Sequence, residues 1–198
     1  MKLSKGWIIL IVVIAILVIL IGWGTGIYNK LVSQDENVGK AWANVENVYQ
    51  RRADLIPNLV ATVKGVADFE KSTLTDVIEA RAKATSVTVD PKNLNAESLQ
   101  QFQAAQDGLS SALSRLMVVV EKYPELKATQ NFMELQAQLE GTENRITVER
   151  MKFNEAAQAY NTYIRRFPAT IFAGMFGFEK KAYFEAQEGA EQAPKVEF

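Results

Sequence analysis

The stretch from Leu31 to Val66, LVSQDENVGKAWANVENVYQRRADLIPNLVATVKGV, decides the fold. Its apolar residues recur at alternating steps of four and three: Leu31, Val38, Trp42, Val45, Tyr49, Ile56, Leu59, Val63 and Val66 fall on one seam. A repeat averaging about 3.5 residues keeps one stripe of a helix facing a partner helix, as in left-handed bundles. Two charged residues, Asp35 and Arg52, interrupt the seam. Pro57 lacks an amide donor and disfavours helix at Ile56. It either kinks one long helix, as the unbroken seam phase favours, or begins a second helix with Asp54 as its N-cap.

Before this stretch, Gly6 to Asn29 carry no formal charge, and Trp7 to Trp23 are almost pure Ile, Leu and Val. At about 1.5 Å per residue, a helix extended to Tyr28 spans the hydrocarbon of a bilayer. Trp7, Trp23 and Tyr28 stand at its two ends, where amphipathic rings favour the interface. The run reads as a retained membrane anchor. A cleaved signal peptide is the rival, with Lys2 and Lys5 as its basic region and Gly22-Trp23-Gly24 as a small-x-small triplet. The length of the run and the aromatics crowding that triplet argue against cleavage. Gly22 and Gly26 form a GxxxG spacing, which either pairs two such helices or softens the exit from the bilayer. Lys2 and Lys5 balance Lys30 and Lys40 across the run, and the free amino terminus leans the domain towards the extracytoplasmic side.

After it, a second seam runs through Phe132, Leu135, Leu139, Ile146, Phe153, Ala156, Tyr160, Tyr163 and Phe167, with Thr142 and Glu149 as its polar members. Ser98 to Tyr123 carries a third apolar face, from Leu99 and Phe102 to Met117 and Val120. Residues 85–95 read as a loop, Pro124 separates the third helix from the fourth, and Pro168 ends the fourth. The expected fold is all-α. A transmembrane anchor occupies residues 1–29, and an antiparallel up-and-down bundle of three or four long helices occupies 30–167. An irregular aromatic tail occupies 168–198.

Phe172, Phe176, Phe178, Tyr183, Phe184 and Phe198 make that tail too aromatic to leave in water. Its three lysines are outnumbered by five glutamates, which opposes docking on anionic lipid and leaves the bundle or a partner protein to receive the rings. The ending Val196-Glu197-Phe198 reads as extended, packed on the bundle or added to a sheet edge of a receptor. Gly174-Met175-Phe176-Gly177 follows no strand and reads as a turn, not a phosphate-cradling loop.

The chain contains no cysteine and no histidine. That excludes disulfides, a thiolate nucleophile, a Cys/His zinc site and a histidine base. From residue 30 onward there are 20 basic and 23 acidic residues, a poor match to nucleic acid. Arg51, Arg52 and Asp54 form either a partner-binding patch or one side of an intramolecular contact, for which Glu143, Asn144, Arg145, Glu149 and Arg150 on the fourth helix are the matching polar cluster. The expectation is an ion pair between the first and fourth helices, with Arg52 and Glu149 as partners and Arg51 or Glu143 as substitutes a turn away. Paired carboxylates in bundles also hold di-iron, but that needs a Glu-x-x-His element. Asn154 and Asn161, each following an aromatic and seven residues apart, read as surface-facing.

The string Gln50-Arg51-Arg52-Ala53-Asp54-Leu55-Ile56-Pro57-Asn58-Leu59-Val60, continuing Ala-Thr-Val-Lys-Gly, resembles the LemA family. So do Tyr28-Asn29-Lys30-Leu31-Val32, Glu140-Gly141-Thr142-Glu143-Asn144-Arg145-Ile146 and Tyr160-Asn161-Thr162-Tyr163-Ile164-Arg165-Arg166-Phe167-Pro168. Gly177-Phe178, Tyr183-Phe184 and Pro194-Lys195-Val196-Glu197-Phe198 complete the likeness. The resemblance implies an N-terminally anchored four-helix core with no enzymatic activity and no cofactor. Where the family often carries a Tyr and then a His-Glu pair, this chain has Val66 and Phe69-Glu70, so no role of that histidine transfers. The function expected is a membrane-anchored, non-enzymatic scaffold or adaptor that assembles with copies of itself or another envelope protein. The alternative is a small-ligand or lipid sensor using the bundle and tail. No nucleic acid and no small-molecule substrate is expected as a partner.

Overall fold

The computed structural model describes residues 5–65 and 70–185. All of its elements are helical, and no strand occurs among the described residues. Val66 of the first seam, Phe69, and the tail terminus with Phe198 lie outside the described residues.

Helix α1, Lys5–Lys64, is one continuous element that carries both the apolar run and the first seam. Pro57 neither ends it nor starts a new helix. Proline at this position removes the amide that would bond the carbonyl of Ala53, one turn back. That carbonyl instead accepts from Arg81 Nε at 2.7 Å, so the orphan is satisfied from a neighbouring helix. The break falls later, after Lys64, and frees α2, Lys71–Ser86, as a separate helix. Apolar spacing alone does not mark this break, because the first seam keeps its phase up to Val63.

A 3-10 turn at Pro91–Asn93 lies inside the expected loop. Helix α3, Ala96–Val120, begins where the Asn95 side chain accepts from Ser98 N at 2.8 Å, a regular N-cap. Pro124 opens a single-turn helix, α4, Pro124–Lys127. Helix α5, Gln130–Ile164, follows, capped by Thr129. The tail is not irregular throughout: Ala169–Phe176 form α6, and Gly177 ends it at φ 73°, a left-handed geometry that glycine adopts without strain.

Side-chain pairs fix the directions. Trp42 meets Phe153 with ring centroids 5.5 Å apart, and Arg52 meets Glu143 at 3.0 Å. Rising numbers on α1 thus face falling numbers on α5. Lys122 pairs with Glu70 and Arg115 with Asp76, so α2 and α3 are also opposed.

Two core clusters stack along α1. Near the apolar run, Leu31, Trp42, Val45, Phe102, Phe153 and Tyr160 are buried together. Farther out lie Ile56, Leu59, Val63, Leu109, Leu116 and Phe132. Full burial of each large side chain contributes about 2 kcal/mol. The second seam holds from Phe132 to Phe153 and then changes phase. Ala157, Tyr160 and Ile164 are buried, whereas Phe167 is exposed. The cause is the tail, which covers a new face of α5 in its last three turns.

Candidate functional site

The two charges that interrupt the first seam each recruit a partner from another element. Arg52 lies at the junction of the two clusters and is 2% exposed. Its Nη1 donates to Glu143 Oε2 at 3.0 Å and Ser110 Oγ at 2.8 Å. Its Nη2 donates to Gln106 Oε1 at 2.8 Å and to the Gln106 carbonyl at 3.2 Å. The guanidinium also sits over the Tyr49 ring, 5.1 Å from its centroid. Burial pushes the Tyr49 phenol up, and the nearby Arg150 and Arg52 charges partly counter this. One buried side chain therefore ties α1 to both α3 and α5.

The pair expected from the seams, Arg52 with Glu149, does not form. Glu149 pairs with Lys152 on its own helix at 2.7 Å. The register set by Trp42 and Phe153 puts Glu143 level with Arg52, and Glu149 about two turns nearer the apolar run. Arg51 and Arg145 are exposed, and Asp54 accepts from Gln50 on the surface at 2.7 Å. Arg150 turns the other way. It covers the Phe184 ring, 4.6 Å from its centroid, and donates to the Glu185 carbonyl at 3.0 Å.

The second charge, Asp35, holds the tail. After Gly177, residues 178–185 run as a strap along α1. Phe178 meets Tyr28 (centroids 6.1 Å), Lys181 Nζ pairs with Asp35 at 3.0 Å, and Phe184 stacks on Trp42 (6.0 Å, 18°). The contacts step by three residues on the strap and by seven on the helix. Three extended residues span about 10 Å and seven helical ones about 10.5 Å, so the two elements stay in register.

The same match operates on α5. Asn161 Nδ2 donates to the Lys181 carbonyl at 2.8 Å and to Tyr183 Oη at 2.9 Å, while its Oδ1 accepts from Lys181 N at 2.9 Å. Asn154, one heptad earlier, donates to the Phe184 carbonyl at 3.0 Å and accepts from Phe184 N at 2.9 Å. These two carboxamides stand in for the strand partner that the strap lacks. Asn161 is buried and Asn154 half-buried, which corrects their reading as surface-facing. Further bonds hold the strap's other edge: Ala182 N donates to Leu94 O at 2.9 Å and Lys181 Nζ to Lys92 O at 3.1 Å. Beside them Tyr160 is buried, and burial together with Asp35 and Glu179 pushes its phenol well up.

The tail aromatics therefore divide. Phe184 is buried in the core, Phe178 is half-buried against it, and Tyr183 sits at its edge, bonded to Asn161. Phe172 packs at the edge of the core cluster and also against the apolar run of α1, while Phe176 lies exposed beside that run. A Cβ placed on Gly24 would lie 3.2 Å from the Phe172 ring, whereas one on Gly22 or Gly26 would meet nothing within 4 Å. The close approach uses Gly24, which the GxxxG reading passed over. Trp7 and Trp23 are exposed along that run.

The helix α1 segment from Gly6 is long and apolar enough to cross a membrane. Known proteins extend this picture. The chain is 28% identical over 175 residues to magnetosome protein MamQ 2 of Paramagnetospirillum magneticum, covering 80% of this chain and 64% of that relative. It is 27% identical over 176 residues to magnetosome protein MamQ of Magnetospirillum gryphiswaldense, covering 79% and 64%. Protein LemA of Metamycoplasma hominis is 22% identical over 160 residues, covering 81% and 69%. The chain thus spans under two thirds of the length of the magnetosome relatives. The model of the LemA family matches residues 41–198, which include the Arg52 knot, both asparagine clamps and the strap, and the chain belongs to the LemA family.

Proposed function

We propose that the chain is a membrane-anchored helical scaffold that works through protein–protein assembly, with its bundle outside the cytoplasm. The observation that carries this reading is the continuity of α1, whose single helix runs from the apolar segment into the core with no hinge. From Tyr28 to Lys64 it rises about 54 Å, enough to hold the far end of the bundle at a fixed height above a bilayer. The strap stiffens the lower half of this post by lashing α1, α3 and α5 together. At the far end, Ile78, Val118 and Met133 leave large apolar side chains in solvent on three different helices. The magnetosome proteins among the relatives support a membrane-associated role.

The test is photo-crosslinking in native membranes from positions 118 and 133, combined with a reporter phosphatase fused after Phe198. The scaffold reading expects crosslinked species larger by a second copy or another envelope protein, and an active phosphatase. A chain that stays monomeric from both positions while purifying with a specific small molecule would support a sensor instead. An expressed but inactive phosphatase would reverse the orientation.

A further inference from the structure

We infer that α6 is a second membrane-embedded element, a short re-entrant helix seated among lipid acyl chains beside the anchor. The inference rests on the reading of the N-terminal part of α1 as membrane-spanning. Averaged over residues 168–198, the tail is acidic, which argues against lipid. The structure separates those charges from α6. No charged residue lies between Arg166 and Glu179. Within that interval Phe167 is 81% exposed, Ile171 53%, Met175 71% and Phe176 53%. So many large apolar side chains on one short turn-and-helix unit mark a surface that meets something other than water.

What it meets follows from where α6 lies. Phe172 contacts Gly24, and the Phe176 ring stands edge-on to Tyr28 with centroids 4.8 Å apart. Between the two helices is an apolar cleft of about 450 Å³ lined by Leu17, Leu20, Ile21, Gly24, Phe172 and Phe176. These α1 residues belong to the charge-free run, so an element packed against them shares their depth. Leu17 lies about 16 Å along the helix from Tyr28, roughly half the hydrocarbon thickness. With Tyr28 at the interface, α6 lies within the single leaflet nearest the bundle.

Lipid favours backbone whose polar groups have internal partners, and several groups at the ends of α6 have them. Thr170 N donates to Arg166 O at 2.8 Å and Ile171 N to Pro168 O at 3.1 Å, and Pro168 has no amide to satisfy. At the other end Phe178 N donates to Ala173 O at 3.0 Å. Arg165 and Arg166 before the helix, and Glu179 and Lys180 after it, are exposed and stand where long side chains reach the interface. The strap, clamped by Asn161 and Asp35, fixes how far α6 projects from the bundle.

The absence of cysteine makes the experiment direct. Single cysteines replace Ile21, Ile171, Met175 or Val118 in the full chain. Each variant is labelled with a fluorophore and reconstituted in phosphatidylcholine vesicles that carry nitroxide-labelled acyl chains. Labels at 171 and 175 are expected to be quenched within about twofold of the label at 21, because all three lie in hydrocarbon. The label at 118 stays unquenched, and adding anionic lipid changes nothing. If 171 and 175 behave like 118 while 21 is quenched, α6 lies outside the lipid and the anchor stands. If quenching at 171 and 175 requires anionic lipid, α6 only adsorbs to the surface, and embedding is overturned. If 21 is not quenched either, the anchor reading fails and this inference falls with it.

Discussion

Replacing Arg52 by methionine is expected to destabilise the bundle by about 3 kcal/mol or more, read by thermal or denaturant unfolding. The loss comes from neutral partners more than from the ion pair. Gln106 loses the donor to its Oε1 and one donor to its carbonyl inside the core, and Ser110 Oγ loses a donor at a half-buried site. Glu143 is 54% exposed, so its attraction for Arg52 is screened and water can replace the guanidinium. Glu143→Gln should therefore cost about 1 kcal/mol or less. A double-mutant cycle separates the two candidate carboxylates on α5. Arg52→Met with Glu143→Met should show coupling, whereas Arg52→Met with Glu149→Met should be additive. Coupling to Glu149 with none to Glu143 would mean that the register of α1 on α5 is wrong.

Asn161→Ala should be the second large effect, at about 2–4 kcal/mol, because two buried hydrogen bonds and a half-buried third go with one side chain. The variant leaves both backbone groups of Lys181 without their partners inside the core. It should also release the strap. Hydrogen exchange at residues 178–185 should rise far more than exchange at the Arg52 level of α1. Asn154→Ala removes two bonds at a half-buried site and should cost about half as much. If Asn161→Ala unfolds the chain uniformly, with no selective rise in the strap, the clamp is not local. If it leaves stability unchanged, the strap contributes nothing to the post.

The parts of the fold with a local period were legible in the sequence. From Leu31 to Val63 every apolar seam position is buried, because one helix facing one partner repeats its environment every seven residues. The charge-free run before it was equally plain. Asp35 and Arg52 were visible as misfits in that seam, and Glu143 stood among the candidate partners of Arg52, but their other partners were not visible. Lys181 comes from a segment with no period at all, and Gln106 and Ser110 come from a helix whose register cannot be read from α1. Asn154 and Asn161 showed their seven-residue spacing, yet spacing alone does not say whether a face is covered. An extended strap with a matching three-residue step covers it. Pro57 was ambiguous for a related reason: the donor that replaces its amide, Arg81, lies on another helix. Averaging charge over the whole tail hid the uncharged α6 inside it.

The height of the bundle above a bilayer depends on α1 being one rigid rod from the apolar segment into the core. Its direct test is the distance between spin labels on cysteines replacing Gly22 and Asn47, measured in vesicles with the labelled chain diluted in unlabelled chain. Both positions are exposed, and 25 helical residues separate them by about 38 Å. A single narrow distribution near that distance is the predicted result. A broad or clearly shorter distribution would show a hinge at the bilayer surface, and the bundle would then be tethered to the membrane, not held above it.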